Sequence, residues 1–71
     1  MLILEKNLLT KREKEIFSLL IQNKTTKEIA LALGISSKTV RNHISNTIQK
    51  LGVKNRTSAI LELLKMDIID L

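Results

Sequence analysis

Apolar residues recur at helical spacing along the whole chain, and this periodicity restricts the fold more than any other feature. No stretch alternates apolar and polar residues as a half-buried strand does, proline is absent, and Phe17 is the only aromatic residue. Breaks in the pattern coincide with residues that start or stop helices. The sequence therefore predicts an all-α domain of four short helices.

Polar capping residues and glycines predict where the helices begin and end. Thr10 and Thr25 are each followed three residues later by a glutamate, which is the capping-box pattern. Ser36 is a favourable N-cap for a third helix, which we expect to stop at about Leu51, before Gly52. The other expected boundaries are Asn23 and Lys24 at the end of helix 1, Gly34 at the end of helix 2, and residues 57–66 for helix 4.

Residues 26–45 fit the spacing of a helix-turn-helix. Ala30 is small where the second helix crosses closely, Gly34 suits a turn that needs positive φ, and Val40 supplies an apolar anchor. An ordinary pair of helices joined by a glycine turn is the alternative. The spacing, together with two capping signals, favours the helix-turn-helix, whose second helix enters the major groove of DNA.

The charge distribution favours a polyanionic partner. The net charge is +5, and residues 22–56 contain seven basic residues against one acid, Glu28. This is typical of nucleic-acid binding, although a solvated surface would explain the charge alone equally well.

Cysteine is absent and His43 is the only histidine, so we predict no enzyme, no catalytic residue, no metal site and no cofactor. No membrane span or signal peptide is evident, and we expect a cytoplasmic, nucleoid-associated protein.

A helical wheel of the third helix separates an apolar side from a polar side that lacks acids. Arg41 has the geometry to donate two hydrogen bonds to guanine, Asn42 can pair with adenine, and Ser45 can contact either kind of base edge. These three residues are the predicted base contacts. Basic and hydroxyl side chains at helix starts, at the end of helix 3 and in the following link are the predicted backbone contacts. They are Thr26, Lys27, Lys38, Thr39, Lys50, Lys54 and Arg56.

Helix 4 predicts a second copy of the chain as a partner. Its apolar residues cover more than half of the helix circumference, which is more than one small bundle can bury. Leu61 and Leu64, with Ile68 beyond them, would form an outer stripe. A two-fold pair of such stripes would bury them, so these residues are the predicted dimer interface.

The same segments carry a resemblance to a known family. They are residues 9–15, 26–30, 34–44 and 50–57, and together they resemble the LuxR/FixJ/GerE-type DNA-binding domain. The runs 24–30 and 38–46 are most similar to a stand-alone member that regulates late sporulation genes. The resemblance implies a regulator of promoter DNA that pairs through helix 4 and reads bases with the middle of helix 3. Asp67 departs from the family, in which glycine is frequent after helix 4.

The whole chain, residues 1–71, is expected to form one domain with an N-terminal arm at 1–9, the helix-turn-helix at 26–45 and a dimerisation helix at 57–66. No part of it is expected to receive a phosphoryl group or a small-molecule signal. Double-stranded DNA and a second copy are the expected partners, and RNA polymerase is a further candidate. The alternatives are a promoter-recognition module like region 4 of sigma factors, and an interaction module that does not bind DNA. The sequence specifies neither the operator nor the choice between activation and repression.

Overall fold

The computed structural model describes residues 8–70, and within this range it contains four α-helices and no strands. α3 packs against each of the other three helices, and α1 also packs against α2. This arrangement confirms the predicted all-α fold with a central helix-turn-helix. The predicted arm falls mostly on residues 1–7, which lie outside the described range. The helices are α1 (Lys11–Ile21), α2 (Thr26–Leu33), α3 (Ser37–Leu51) and α4 (Arg56–Lys65).

Each helix begins at a side chain that accepts the backbone N–H three residues later. Both predicted capping boxes are complete, because Glu13 accepts the Thr10 N–H at 2.9 Å and Glu28 accepts the Thr25 N–H at 2.8 Å. A cap of this kind stabilises a helix by about 1 kcal/mol. α4 starts one residue earlier than expected, since Asn55 provides its cap. The four capping residues are Thr10, Thr25, Ser36 and Asn55.

Each of the four helices is followed, within two residues of its end, by a residue with left-handed backbone. The next residue then donates its N–H to the carbonyl five positions earlier, which satisfies a free carbonyl and turns the chain sharply. The last helical residue of α1 is Ile21, and the predicted stop, Asn23, is the left-handed residue that follows its C-cap. The left-handed residues are Asn23 (φ 68°), Gly34 (φ 69°), Gly52 (φ 67°) and Asp67 (φ 60°). The corresponding bonds are Lys24 to Leu19 at 3.1 Å, Ile35 to Ala30 at 3.0 Å, Val53 to Ile48 at 3.3 Å and Ile68 to Leu63 at 2.9 Å.

The core extends beyond the helices at both ends of the described chain. Leu9, which was expected in the arm, is buried, and so is Ile69 after α4. The sequence pattern failed to place these two residues because neither belongs to a helical repeat. Thr47 is a buried polar residue, and its hydroxyl is satisfied by donating to the His43 carbonyl at 2.9 Å. The buried apolar residues are Leu9, Ile16, Phe17, Leu20, Ile29, Ala30, Val40, Ile44, Ala59, Leu63 and Ile69.

Asp67→Gly is expected to stabilise the domain by about 1 kcal/mol, because left-handed backbone costs a side chain more than it costs glycine. For a domain of this size the melting temperature should rise by about 4–8 °C. Asp70→Gly is the matched control, since it removes the same exposed charge at a position without positive φ. Thermal denaturation measures both. Equal or lower stability of Asp67→Gly relative to Asp70→Gly would contradict this account of the end of α4.

Candidate nucleic-acid interface

The two faces of α3 differ completely in exposure. Val40, Ile44 and Thr47 are buried against the neighbouring helices. The opposite side is open to solvent, and we call it the outer face of α3. Because α3 contains no acidic residue, this face presents cations, amides and hydroxyls without a carboxylate of its own. Its exposed members are Lys38, Arg41, Asn42, Ser45, Asn46 and Gln49.

The three predicted base contacts all lie on the outer face. Arg41, Asn42 and Ser45 are the fifth, sixth and ninth residues of this 15-residue helix. In a helix-turn-helix the N-terminal part of the second helix approaches the base edges. Asn46 and Gln49 share the face, although the sequence analysis did not include them among the base contacts. The helical wheel that selected Asn42 could have selected them too.

The predicted backbone contacts differ in exposure and in whether another side chain already binds them. Lys27, Lys38, Lys54 and Arg56 are exposed, and none forms an ion pair with another residue of 8–70. The sequence had placed Arg56 in the link after helix 3, but in the structure it is the first residue of α4. The two hydroxyl candidates are Thr26, which is half-buried, and Thr39, whose Oγ1 lies 2.9 Å from the N-cap oxygen of Ser36.

Lys50 differs from the other basic residues because its charge has an intramolecular partner. Its Nζ donates to Oε1 of Glu13 at 2.6 Å, across a sequence separation of 37 residues. Glu13 is only 2% exposed, whereas about a third of the Lys50 side chain remains open. The pair therefore joins the first turn of α1 to the last turn of α3. The sequence analysis missed this contact, since no local pattern connects residues so far apart.

Opposing influences act on the pKa of Glu13. Burial raises it, but hydrogen bonds from Lys50 and from the Thr10 backbone, together with the positive charge of Lys50, lower it by more. The net result is a pKa below the ordinary value for glutamate. Glu13 is therefore ionised at neutral pH and holds both partners through the same oxygen.

Among the described residues 8–70, nothing around His43 suggests a metal site. It is half-buried and lines a shallow cleft between α1 and α3 with Glu13 and Lys50. Over the described part of the chain, no group of three or more His, Cys, Asp or Glu residues is placed to hold a metal ion. None of the helices within residues 8–70 has the length and apolar composition that a membrane crossing requires.

The outer stripe predicted on α4 is narrower in the structure. Leu61 is 56% exposed, while Leu64 and Ile68 pack partly against the core. Leu61 lies at a shallow, mainly apolar cleft that Val53 and Leu64 help to line. The surface of α4 thus offers one projecting leucine beside an apolar depression.

The helix-turn-helix and its outer face define a class of protein, the helix-turn-helix DNA-binding proteins. Residues 7–63 match the family model described as bacterial regulatory proteins of the luxR family. The match covers most of the chain, and the chain belongs to this family.

Relatives in Bacillus subtilis (strain 168) agree with this assignment. The chain is 67% identical to the spore germination protein GerE over 93% of its own length and 89% of that protein. It is 57% identical to the transcriptional regulatory protein DesR over 79% of its length, but spans only 28% of DesR. A solved structure of the transcription factor GerE superposes with a TM-score of 0.89 at 61% identity, covering 90% of this chain and 96% of the other.

These relationships confirm that the chain is a GerE-like transcription regulator with a DNA-binding helix-turn-helix, and they confirm that it is not an enzyme. They also confirm the family resemblance found in the sequence.

Glu13→Gln should reduce the loss of stability at acidic pH. Because the folded state lowers the pKa of Glu13, its contribution to stability is present above the ordinary value of 4.5 and is lost as pH falls through the lower, folded value. The free energy of unfolding, measured by urea titration between about pH 2 and pH 7, should therefore fall less in the variant than in the wild type. Parallel curves for the two proteins would contradict the proposed ionisation of Glu13.

Proposed function

We propose that this protein is a sequence-specific regulator that binds promoter DNA as a homodimer, with α3 of each subunit in the major groove. The observation that carries the proposal is the division of α3 into a buried apolar face and an exposed face without acids. Such a face can approach the electronegative groove without repulsion from its own side chains. Membership of the luxR family supports DNA as the partner.

Three residues are assigned to base recognition within this proposal. Arg41 donates to O6 and N7 of guanine, and Asn42 pairs with N6 and N7 of adenine. Ser45 lies one turn beyond Arg41 and bonds either kind of base edge. Their shared exposure on the outer face of α3 supports the assignment. Each bidentate contact would discriminate against a wrong base by about 1–3 kcal/mol.

The phosphate contacts are assigned to the free cations and hydroxyls around that face. Lys27 and Thr26 lie at the start of α2, Lys38 and Thr39 lie at the start of α3, and Lys54 precedes the cap of α4. Arg56 follows that cap in the first turn of α4. Contacts of this kind fix the register of the protein on DNA but carry no sequence information. The remaining predicted phosphate contact, Lys50, is treated separately because Glu13 already binds it.

The exposed leucine of α4 supports the proposal of a homodimer. In a two-fold interface each surface meets its own copy, so Leu61 of one protomer can enter the apolar depression of its partner. Leu64 and Ile68 would contribute their remaining exposed surface. The two recognition helices would then lie about 34 Å apart, which is one turn of DNA.

The cellular role is proposed from the similarity to GerE. Identity of 67% over 89% of that protein supports a role in sporulation, exerted on the nucleoid in the cytoplasm. RNA polymerase remains a candidate partner, and no residue of the chain is assigned to it. Selection of bound fragments from random DNA would test the proposal, since it predicts two related half-sites about 10 base pairs apart. Recovery of unrelated fragments would contradict it.

Asn42→Ala should weaken binding to the selected DNA by about 1–3 kcal/mol, because a bidentate base contact is lost, and should leave the salt dependence unchanged. Lys54→Ala should instead weaken binding to all sequences and flatten the plot of log K against log salt by about 1. Fluorescence anisotropy with selected and random duplexes measures both effects. Equal losses on the two duplexes for Asn42→Ala would remove it from the base contacts.

Leu61→Glu should convert the dimer to monomers, since two buried charges would face each other across the two-fold axis. Leu31→Glu is a matched control, because Leu31 on α2 is even more exposed, at 77%, and lies outside the proposed interface. Sedimentation velocity distinguishes the oligomers. A monomeric wild type would favour the sigma-like alternative, and an unchanged dimer in Leu61→Glu would exclude α4 as the interface.

A further inference from the structure

The carboxylate of Glu13 has two functions, because it completes a capping box and also binds Lys50. The carboxylate of Glu28, in the second capping box, has only the capping function. Glu13 and Glu28 both accept the N–H of the residue that caps their helix. Only Glu13 is buried, and only Glu13 also binds a lysine from another helix. Within residues 8–70, Glu28 forms no ion pair. The capping function therefore does not explain why Glu13 holds Lys50.

Lys50 lies on the flank of α3 that faces α1. At 100° per residue, it is rotated by roughly 110° from the middle of the outer face. Its ammonium points to Glu13, and the cleft beside it is also lined by His43 and Asn46. The position borders the proposed DNA surface, so a freed Lys50 side chain would be within reach of the DNA backbone.

We propose that Glu13 withholds Lys50 from the DNA backbone and thereby limits the sequence-independent affinity of the protein. The proposal rests on the proposed function, because it concerns the surface that binds DNA. In this proposal Lys50 binds Glu13 and does not make the contact with DNA phosphate that the sequence had predicted for it. Glu13 is thus a positioning residue, which acts on DNA only through Lys50.

Electrostatics favours the intramolecular pair over a phosphate contact. A phosphate that approached Lys50 would also meet the carboxylate of Glu13, and the pair as a whole carries no net charge. Moving Lys50 to the phosphate would leave the Glu13 side chain, which is 3% exposed, without its cation. Removing one partner of a buried ion pair costs much more free energy than replacing both partners. One exposed phosphate contact gains little by comparison, since salt screens it.

The test is a double-mutant cycle on the binding of a random duplex at several salt concentrations. Glu13→Gln keeps the shape of the side chain but releases Lys50, so the slope of log K against log salt should steepen by about 0.9 per subunit. Between 50 and 200 mM salt each released Lys50 would add a loss of about three- to fourfold in affinity, so a dimer bound through both subunits would lose roughly tenfold more affinity than the wild type. Lys50→Gln, alone or combined with Glu13→Gln, should keep the wild-type slope.

Glu28→Gln is the matched control, because it also removes a capping carboxylate but releases no interhelical lysine. Its slope should equal that of the wild type. The proposal is overturned if Lys50→Gln flattens the slope by about 0.9, since Lys50 then already binds phosphate in the wild type. It is equally overturned if Glu13→Gln leaves the slope unchanged. Absence of salt-dependent binding by the wild type would instead reject the proposed function, and this proposal with it.

A measurement on the wild-type protein keeps the proposal testable if Glu13→Gln does not fold. Lysine ammonium resonances can be followed by ¹⁵N NMR while a random duplex is added. The resonances of Lys38 and Lys54 should shift, whereas that of Lys50 should stay at its free position because its bond to Glu13 persists. A Lys50 shift as large as that of Lys54 would overturn the proposal.

Discussion

The burial of one face of α3 against three other helices is the constraint on which the rest of the structure depends. Val40 and Ile44 fix the rotation of α3 about its own axis, because they can be buried in only one orientation. Arg41, Asn42 and Ser45 must then point outward. The apolar core therefore determines which side chains of α3 are exposed on its outer face and available to the proposed DNA partner.

The helix ends set the angles between the helices and so complete this constraint. Each helix begins at a side-chain cap and ends at a left-handed residue, which leaves little freedom in the short connections. Gly34 and Gly52 adopt the left-handed conformation without cost, while Asp67 does so with a side chain. Glu13 adds a tertiary tie to this local geometry, since the same oxygen caps α1 and binds α3. Local signals and one long-range ion pair thus hold α3 in place.

The features that could be predicted from the sequence are those that depend on residues close together along the chain. The capping boxes at Thr10 and Thr25, the glycine stops and the outward face of α3 all follow from spacing within a few turns. The pair of Glu13 with Lys50 was missed, because the spacing of capping residues cannot reveal a contact across 37 residues. The burial of Leu9 and the partial burial of Leu64 and Ile68 were also missed, because helical spacing alone does not show how far the assembled core extends.

The most direct test of the central claim is to map the bound DNA on the protein by NMR. A selected duplex would be added to ¹⁵N-labelled protein, and amide and side-chain shifts would be followed residue by residue. The account predicts that the largest changes fall on Arg41, Asn42 and Ser45, with the Asn42 side-chain amide among them, and that Leu31 changes little. Changes concentrated on α1 or α4, with the outer face of α3 unaffected, would contradict it.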